Sequence, residues 1–340
     1  MAISTAAYSA SAFQLLIAEQ DAFGTIEAGG GNAYHALDVD SVSSPSLNPN
    51  QTLDIRSGSR VLQASDFFQD VKGSVKEISV SGTATTNTLD MLLENIMGEA
   101  EGSASGVYSF LSNASAQTVG SGASSQAGTL LSVIIKSAFG TNADLAFKDC
   151  VVTALSLSGD MGTEGGRVKF SATFKSGSAV SLNASTTTVD TAFTAASENY
   201  LMSSWTAGYR QLVGVADLVM SSFNLSLANE ANFIGLVSTG YEVIARAGEF
   251  SATLDSTIKY DDKCQAFFEN YLDQSTGTTE GITKLNHQSA LADANFGISI
   301  PKSVLTNVAF NEQAMMMLDV SIKALGAGTG SSTALIEVAC

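Results

Sequence analysis

Two histidines, three cysteines and three prolines are all that this chain of 340 residues carries of those types. Each shortage excludes something. A structural zinc site needs about four Cys or His ligands, and Cys150, Cys264 and Cys340 are scattered, with no CxxC spacing. An odd number of such cysteines reads as free thiols in a reducing cytoplasm, not as a disulfide framework. His35 lies in "GGGNAYHALD" and His287 in "KLNHQS". Neither has the nucleophile context of a Ser-His-Asp or Cys-His site. Basic residues are also few, 16 against 33 acidic, for a net charge of −17 and no run of Lys or Arg. A nucleic-acid binder or a protein of anionic lipid surfaces needs such cations. No apolar run reaches the length of a membrane span. The opening "MAISTAAYSASAFQLLIAEQ" lacks a basic leader, and its apolar run is only Phe13 to Ala18, so no secretory signal is expected.

Other motifs of chemistry are incomplete. "GAGTGSST" (326–333) has no Lys where a phosphate loop requires one and no helix after it; it reads as a flexible C-terminal tail. "DVD" (38–40) and "DD" (261–262) have no calcium loop around them. Nothing in the spacing of the acids favours a glycosidase pair. No cofactor, metal or catalytic residue is expected, and no enzyme.

What is present is a chain 45 % hydrophobic but only 14 % charged, against about 25 % in ordinary soluble proteins. Its polar remainder is Ser, Thr, Asn and Gly. Such a surface suits burial in an assembly, and equally a small-residue-rich β protein; composition does not choose. Period-two alternation runs through "GRVKFSATFKSG" (166–177), "DLVMSSFNLSLANE" (217–230), "GEFSATLDSTIKY" (248–260) and "MMMLDVSIKAL" (315–325), the pattern of half-buried strands. "TLLSVIIKS" (129–137), "VVTALSLSG" (151–159) and "NFGISIP" (295–301) extend the set, with Pro301 at a strand end.

Two segments read as helices, and one overlays the other without a gap: "NTLDMLLENIMG" (87–98) and "DKCQAFFENYLDQ" (262–274). Leu89, Leu92, Leu93 and Ile96 fall on Cys264, Phe267, Phe268 and Tyr271, one apolar face repeated. Asn87 and Asp262 stand at the expected N-caps. A strand-like run precedes each helix, "GSVKEISVSG" (73–82) and "GEFSATLDST" (248–257), with glycines in register. Ile78 and Val80 are then one residue out of phase with Ala252 and Leu254, so either a bulge intervenes or the likeness is confined to the helices. The closing "FSATFK" (170–175) overlays "LDVSIK" (318–323). The expectation is a mainly β fold of two tandem antiparallel sandwich or barrel domains, 1–180 and 181–340, each flanked by one short helix.

In its order of features the chain resembles the tail tube (major tail) proteins of long-tailed bacteriophages, in their two-domain form. The resemblance rests on "AEQDAFGT" (18–25), the long polar loop 41–67, the short helix after a "GSV" strand, and "SLSGDMGTEGGRVKFSATF" (156–174). It implies sandwiches set side by side in rings, with rings stacked into a tube in the virion tail after synthesis in the host cytoplasm. It further implies contacts to tape measure, terminator and neck proteins, and passage of DNA without specific binding. Two domains per chain imply a ring of three chains; six single-domain units are the alternative. Asp54, Arg56 and Arg60 are then candidates for ring stacking. Glu77, Asp255 and Asp319 are candidate acids of a lumen that repels phosphate. A tail terminator, a capsid decoration protein and a secreted adhesin remain as alternatives.

Overall fold

Alternating apolar and polar residues become strand nearly wherever they occur, because every second side chain must leave water together. The computed structural model describes residues 13–27, 34–37, 39–43, 50–53, 61, 67–70, 74–97, 106–112, 117–121, 124–125, 130–137, 144–182, 200–205, 210–235, 240–272, 280–286, 291, 295–312, 315–326 and 333–340. The first half holds β1 (Phe13–Glu19), β2 (His35–Leu37), β3 (Val39–Val42), β4 (Asn50–Leu53), β5 (Phe67–Asp70) and β6 (Lys76–Thr83). After helix α1 (Thr86–Met97) come β7 (Val107–Leu111), β8 (Gln117–Ser121), β9 (Ser124–Ser125), β10 (Leu131–Ser137), β11 (Leu145–Asp160), β12 (Lys169–Ser176) and β13 (Ser181–Leu182). The second half holds β14 (Arg210–Gln211), β15 (Met220–Ala228), β16 (Asn232–Ile234), β17 (Val243–Arg246) and β18 (Ser251–Lys259). Helix α2 (Gln265–Leu272) follows, then β19 (Glu280–Leu285), β20 (Gly297–Glu312), β21 (Met316–Ala324) and β22 (Ala334–Ala339). The fold is mainly β and its pairings are antiparallel, as expected.

One order of pairing occurs twice. In the first half it runs β3-β6-β12-β11-β10-β1, and in the second β15-β18-β21-β20-β19-β14. The irregularities recur at matching places. The β11–β12 ladder slips between Val152 (opposite Phe174) and Ala154 (opposite Thr173). The β20–β21 ladder slips between Leu305 (opposite Ile322) and Asn307 (opposite Ser321). In β10–β11 the break lies between Leu131–Cys150 and Val133–Phe147, and in β19–β20 between Gly281–Ser303 and Thr283–Ile300. A third matched break separates Val39–Gly82 from Ser41–Ser81, and Met220–Ile258 from Ser222–Thr257. Bulges bend a strand and raise its twist, so the two halves curve alike.

These registers resolve the phase conflict in the sequence. Ile78 sits opposite Phe174 and Leu254 opposite Ile322. Ile78 therefore takes the place of Leu254, and Val80 that of Ser256; neither ladder is bulged. Pro301, expected at a strand end, lies inside the 16-residue β20. It is tolerated because the β19–β20 break leaves Pro301 and Lys302 without a ladder partner on β19.

Other expectations are corrected at the ends of elements. Helix α1 starts before Asn87, and the Oγ1 of Thr85 accepts from the Thr88 N–H at 3.3 Å. Asp262 opens a 3-10 turn capped by Asp261, whose carboxylate accepts from the Lys263 N–H at 3.1 Å. In both, a polar residue immediately ahead takes the free N–H groups. Most of the expected tail 326–333 lies outside the described residues; β22 follows it, because Leu335, Ile336 and Val338 are apolar and bury against the core. This strand pairs with β20 of the second half and β7 of the first. Core residues of both halves form one continuous cluster.

Candidate functional site

Among the described residues, those singled out in the sequence lie on, or pack against, two opposite faces of one sheet. Through their ladders β3, β6, β12, β11, β15, β18, β21 and β20 follow one another as neighbours. Their inward residues, among them Ile78, Phe174, Leu157, Leu225, Leu254 and Ile322, are buried. The outward residues are small and polar. One row across the sheet reads Ser81, Ser171, Ser156, Ser226, Thr253. The next reads Lys169, Ser158, Asn224, Asp255, Ser321.

Glu77, Asp255 and Asp319 all belong to this outward face, Glu77 opposite Lys175 on β12 and Asp319 opposite Thr257 on β18. The Asp319 carboxylate accepts from Thr257 Oγ1 at 2.7 Å and from Asn311 Nδ2 at 2.9 Å. Three lysines of the face reach glutamates at its margins: Lys169 to Glu164 (3.7 Å), Lys175 to Glu230 (2.9 Å) and Lys323 to Glu249 (3.2 Å). These exposed pairs add little stability, but they offset the positive charge of the face locally. A depression of about 610 Å³ lies in it, lined by Ser158, Asn224, Asp255, Asn311 and Asp319 among others.

The helices pack on the inward face. Leu89, Leu92, Leu93 and Ile96 are fully buried, and so are Cys264 and Phe267; Phe268 and Tyr271 are half-buried. The end of α1 is held by the second half. Arg246 Nη1 and Asn229 Nδ2 both donate to the Ile96 carbonyl at 2.7 Å. Arg246 Nη2 donates to Asn95 Oδ1 (3.1 Å) and to the Val152 carbonyl (2.9 Å). Burial lowers this guanidinium from its ordinary value to about 10. Neither Arg246 nor Asn229 stood out in the sequence, since a lone Arg at the end of "YEVIAR" has no motif around it.

The "AEQDAFGT" segment (18–25) is a structural lock. Gln20 Nε2 and the Gly24 N–H each donate to Asp149 Oδ1 at 2.7 Å, and Ser178 Oγ donates to its Oδ2. Asp149 sits in the left-handed region (φ 52°) at the β10–β11 break, a conformation Asp tolerates better than most residues. Cys150 and Cys264 are buried and Cys340 is partly buried. Burial pushes Cys150 and Cys264 upward, and Cys340 to about 12, so thiolate is scarce at neutral pH. Cys340 donates its N–H to the Gly106 carbonyl at 3.0 Å.

Strand β4, inside the polar loop 41–67, pairs with β5, which begins where the loop ends, as a separate two-stranded sheet. Asp54, Arg56 and Arg60 lie outside the described residues, as does His287. Among the described residues there is no cluster of three or more His, Cys, Asp or Glu placed to hold a metal, and no helix is long and apolar enough to cross a membrane. No family model matches the sequence, and no curated protein matches it.

Proposed function

We propose that this chain is a structural protein of a long-tailed bacteriophage virion, whose copies close into stacked rings that form the tail tube. The observation that carries the reading is the double occurrence of one strand order with three matched ladder breaks. The halves are tandem copies of one ring-building domain. They meet edge to edge, Ala154–Asp160 of β11 pairing with Ser222–Ala228 of β15. A pairing that joins unlike edges can be repeated from copy to copy, and such a head-to-tail contact yields a ring when its rotation closes. Three chains of two domains make the preferred ring, and six the alternative.

The polar outward face is the wall of the channel. Serine, threonine and asparagine rows with Glu77, Asp255 and Asp319 offer DNA neither a cationic groove nor an aromatic stacking platform. The hairpin β4–β5, with Asp54, Arg56 and Arg60 in the loop it bounds, contacts the next ring. Its role is architectural and not catalytic, with tape measure, terminator and neck proteins as further partners.

Negative-stain electron microscopy of the purified protein over a range of concentrations tests the reading. Rings or hollow tubes with three large units are expected. Monodisperse single particles at every concentration would overturn it, and a basic lumen in the assembled tube would sink the assignment of the three acids.

A further inference from the structure

The halves leave a second hollow, a cleft of about 440 Å³ that shares no lining residue with the depression of the polar face. One wall is Phe110 and Leu111 of β7, in the first half. The other is Arg246–Phe250 of the second, where β17 passes to β18, with Lys323 and Leu335 beside it. A hollow of this size between two domains, with apolar and charged groups converging on it, is where proteins commonly hold small ligands. Its apolar part is an aromatic pair with one ring from each half. Phe110 and Phe250 stack with centroids 3.9 Å apart and planes 10° from parallel. Phe250 is buried and Phe110 half-buried, so part of that ring is still open.

The charge of the cleft runs against that of the chain. The protein carries −17 overall, yet the charged side chains lining the cleft are two cations and one acid, Arg246, Lys323 and Glu249. The depression of the polar face is the reverse, with three aspartates against Arg167 and Lys169. Arg246 is 5 % exposed, and the acceptors of its guanidinium, the Ile96 and Val152 carbonyls and Asn95 Oδ1, are all neutral. Its Nε is buried and donates to nothing, and among the described residues no carboxylate pairs with it. A buried cation is ordinarily paired with an anion. The one acid of the cleft, Glu249, is 77 % exposed and bonds Lys323 at 3.2 Å, a surface pair that is easily exchanged.

We infer that the cleft binds a small free carboxylate with an apolar body, the body against the Phe110–Phe250 pair and the charge in the field of Arg246 and Lys323. The ligand takes the place of Glu249 on the Lys323 ammonium, and Glu249 turns to water. Arg246 acts through its field and not by contact of its Nε, which has no open surface; a charge held out of water is felt further than one in it. The cleft, at about 440 Å³, is at the small end of ligand pockets, which favours a free acid over a longer peptide that ends in a carboxylate. The site lies within one chain and needs no ring of copies.

Isothermal titration calorimetry of the whole chain tests it with 3-phenylpropionate. Its alcohol, 3-phenylpropanol, supplies the body without the charge, and inorganic phosphate the charge without the body. Saturable binding of 3-phenylpropionate is expected with a Kd on the order of 1 mM, as for other ligands of this size. Both controls should bind at least about tenfold more weakly, the loss of roughly one good contact. Lys323→Glu places a like charge at the mouth on an exposed side chain. It should weaken 3-phenylpropionate about tenfold or more and leave the melting midpoint of the ligand-free protein unchanged. Equal binding of the alcohol would overturn the role of the two cations. Binding that Lys323→Glu does not weaken would place the acid elsewhere on the chain, and no saturable binding would overturn the site outright. Tighter binding of N-acetyl-Ala-Phe, a peptide with a free C-terminus, would overturn the free acid as its occupant.

Discussion

Helix α1 is sealed and helix α2 is half open, although the same apolar spacing produced both. Leu89, Leu92, Leu93 and Ile96 have no exposed surface, and the Ile96 carbonyl near the end of α1 is reached by both Asn229 and Arg246 from the other half. In α2 the helix is shorter, Phe268 and Tyr271 are only half-buried, and Leu272 is 76 % exposed. The difference lies in the neighbour and not in the helix. The first half has the second beside it; the second half has no third. Two helices with the same apolar spacing can end up differently buried, because burial is decided by what lies next to each.

The largest effects should come from the sealed copy. Leu93→Ala should cost the single chain about 2–5 kcal/mol by denaturant titration, and Phe268→Ala under about 2 kcal/mol, since part of that ring is already in water. If the copies close into rings as proposed and cover α2, the gap should narrow as Phe268 becomes buried; an unchanged gap would mean that α2 stays exposed. Arg246→Met should cost about 2–3 kcal/mol, because the Val152 carbonyl loses its charged donor while the alkyl volume is kept. Hydrogen exchange should show the loss at the end of α1 and spare α2, and equal loss in both would break the comparison. Thr85→Ala should remove about 1 kcal/mol with the N-cap of α1, readable as a small drop in the melting midpoint.

The smallest effect is one of pH. Burial raises the Asp90 carboxyl on α1, and burial followed by the charge of Asp90 raises that of Glu19. A carboxyl raised in the folded state favours folding at acid pH and loses that contribution as pH rises through its folded value. Asp90→Asn should therefore raise the melting midpoint slightly at pH 7. The gain should vanish below the ordinary carboxylate value of 3.8. A gain that persists in acid would point to a cause other than charge.

The fold class and the two helices were readable because period two and period 3.6 are written in side chains. The acids Glu77, Asp255 and Asp319 were picked for lying on strands, and all three share one face because alternation fixes the side of the sheet. The breaks at Thr153 and Thr306 were not readable, nor was the passage of β20 through Pro301. A bulge is set by backbone pairing with a distant strand, and nothing local encodes it. The glycine alignment ahead of the helices misled by one residue for the same reason: the ladder, not the glycines, sets the register of Ile78 and Leu254. Arg246 was invisible since two of its three partners are backbone carbonyls, which every residue has, and the third, Asn95, is distant in the chain.

Strand β22 has a consequence for how the chain may be cut. It begins at Ala334 and lies between β20 and β7, so the last strand of the polypeptide completes a layer that starts in the first half. Cleavage between Leu182 and Tyr200 would divide the covalent chain near its middle. The fragments would remain one particle, each holding strands that the other needs, and separately expressed fragments should recover the fold only when mixed.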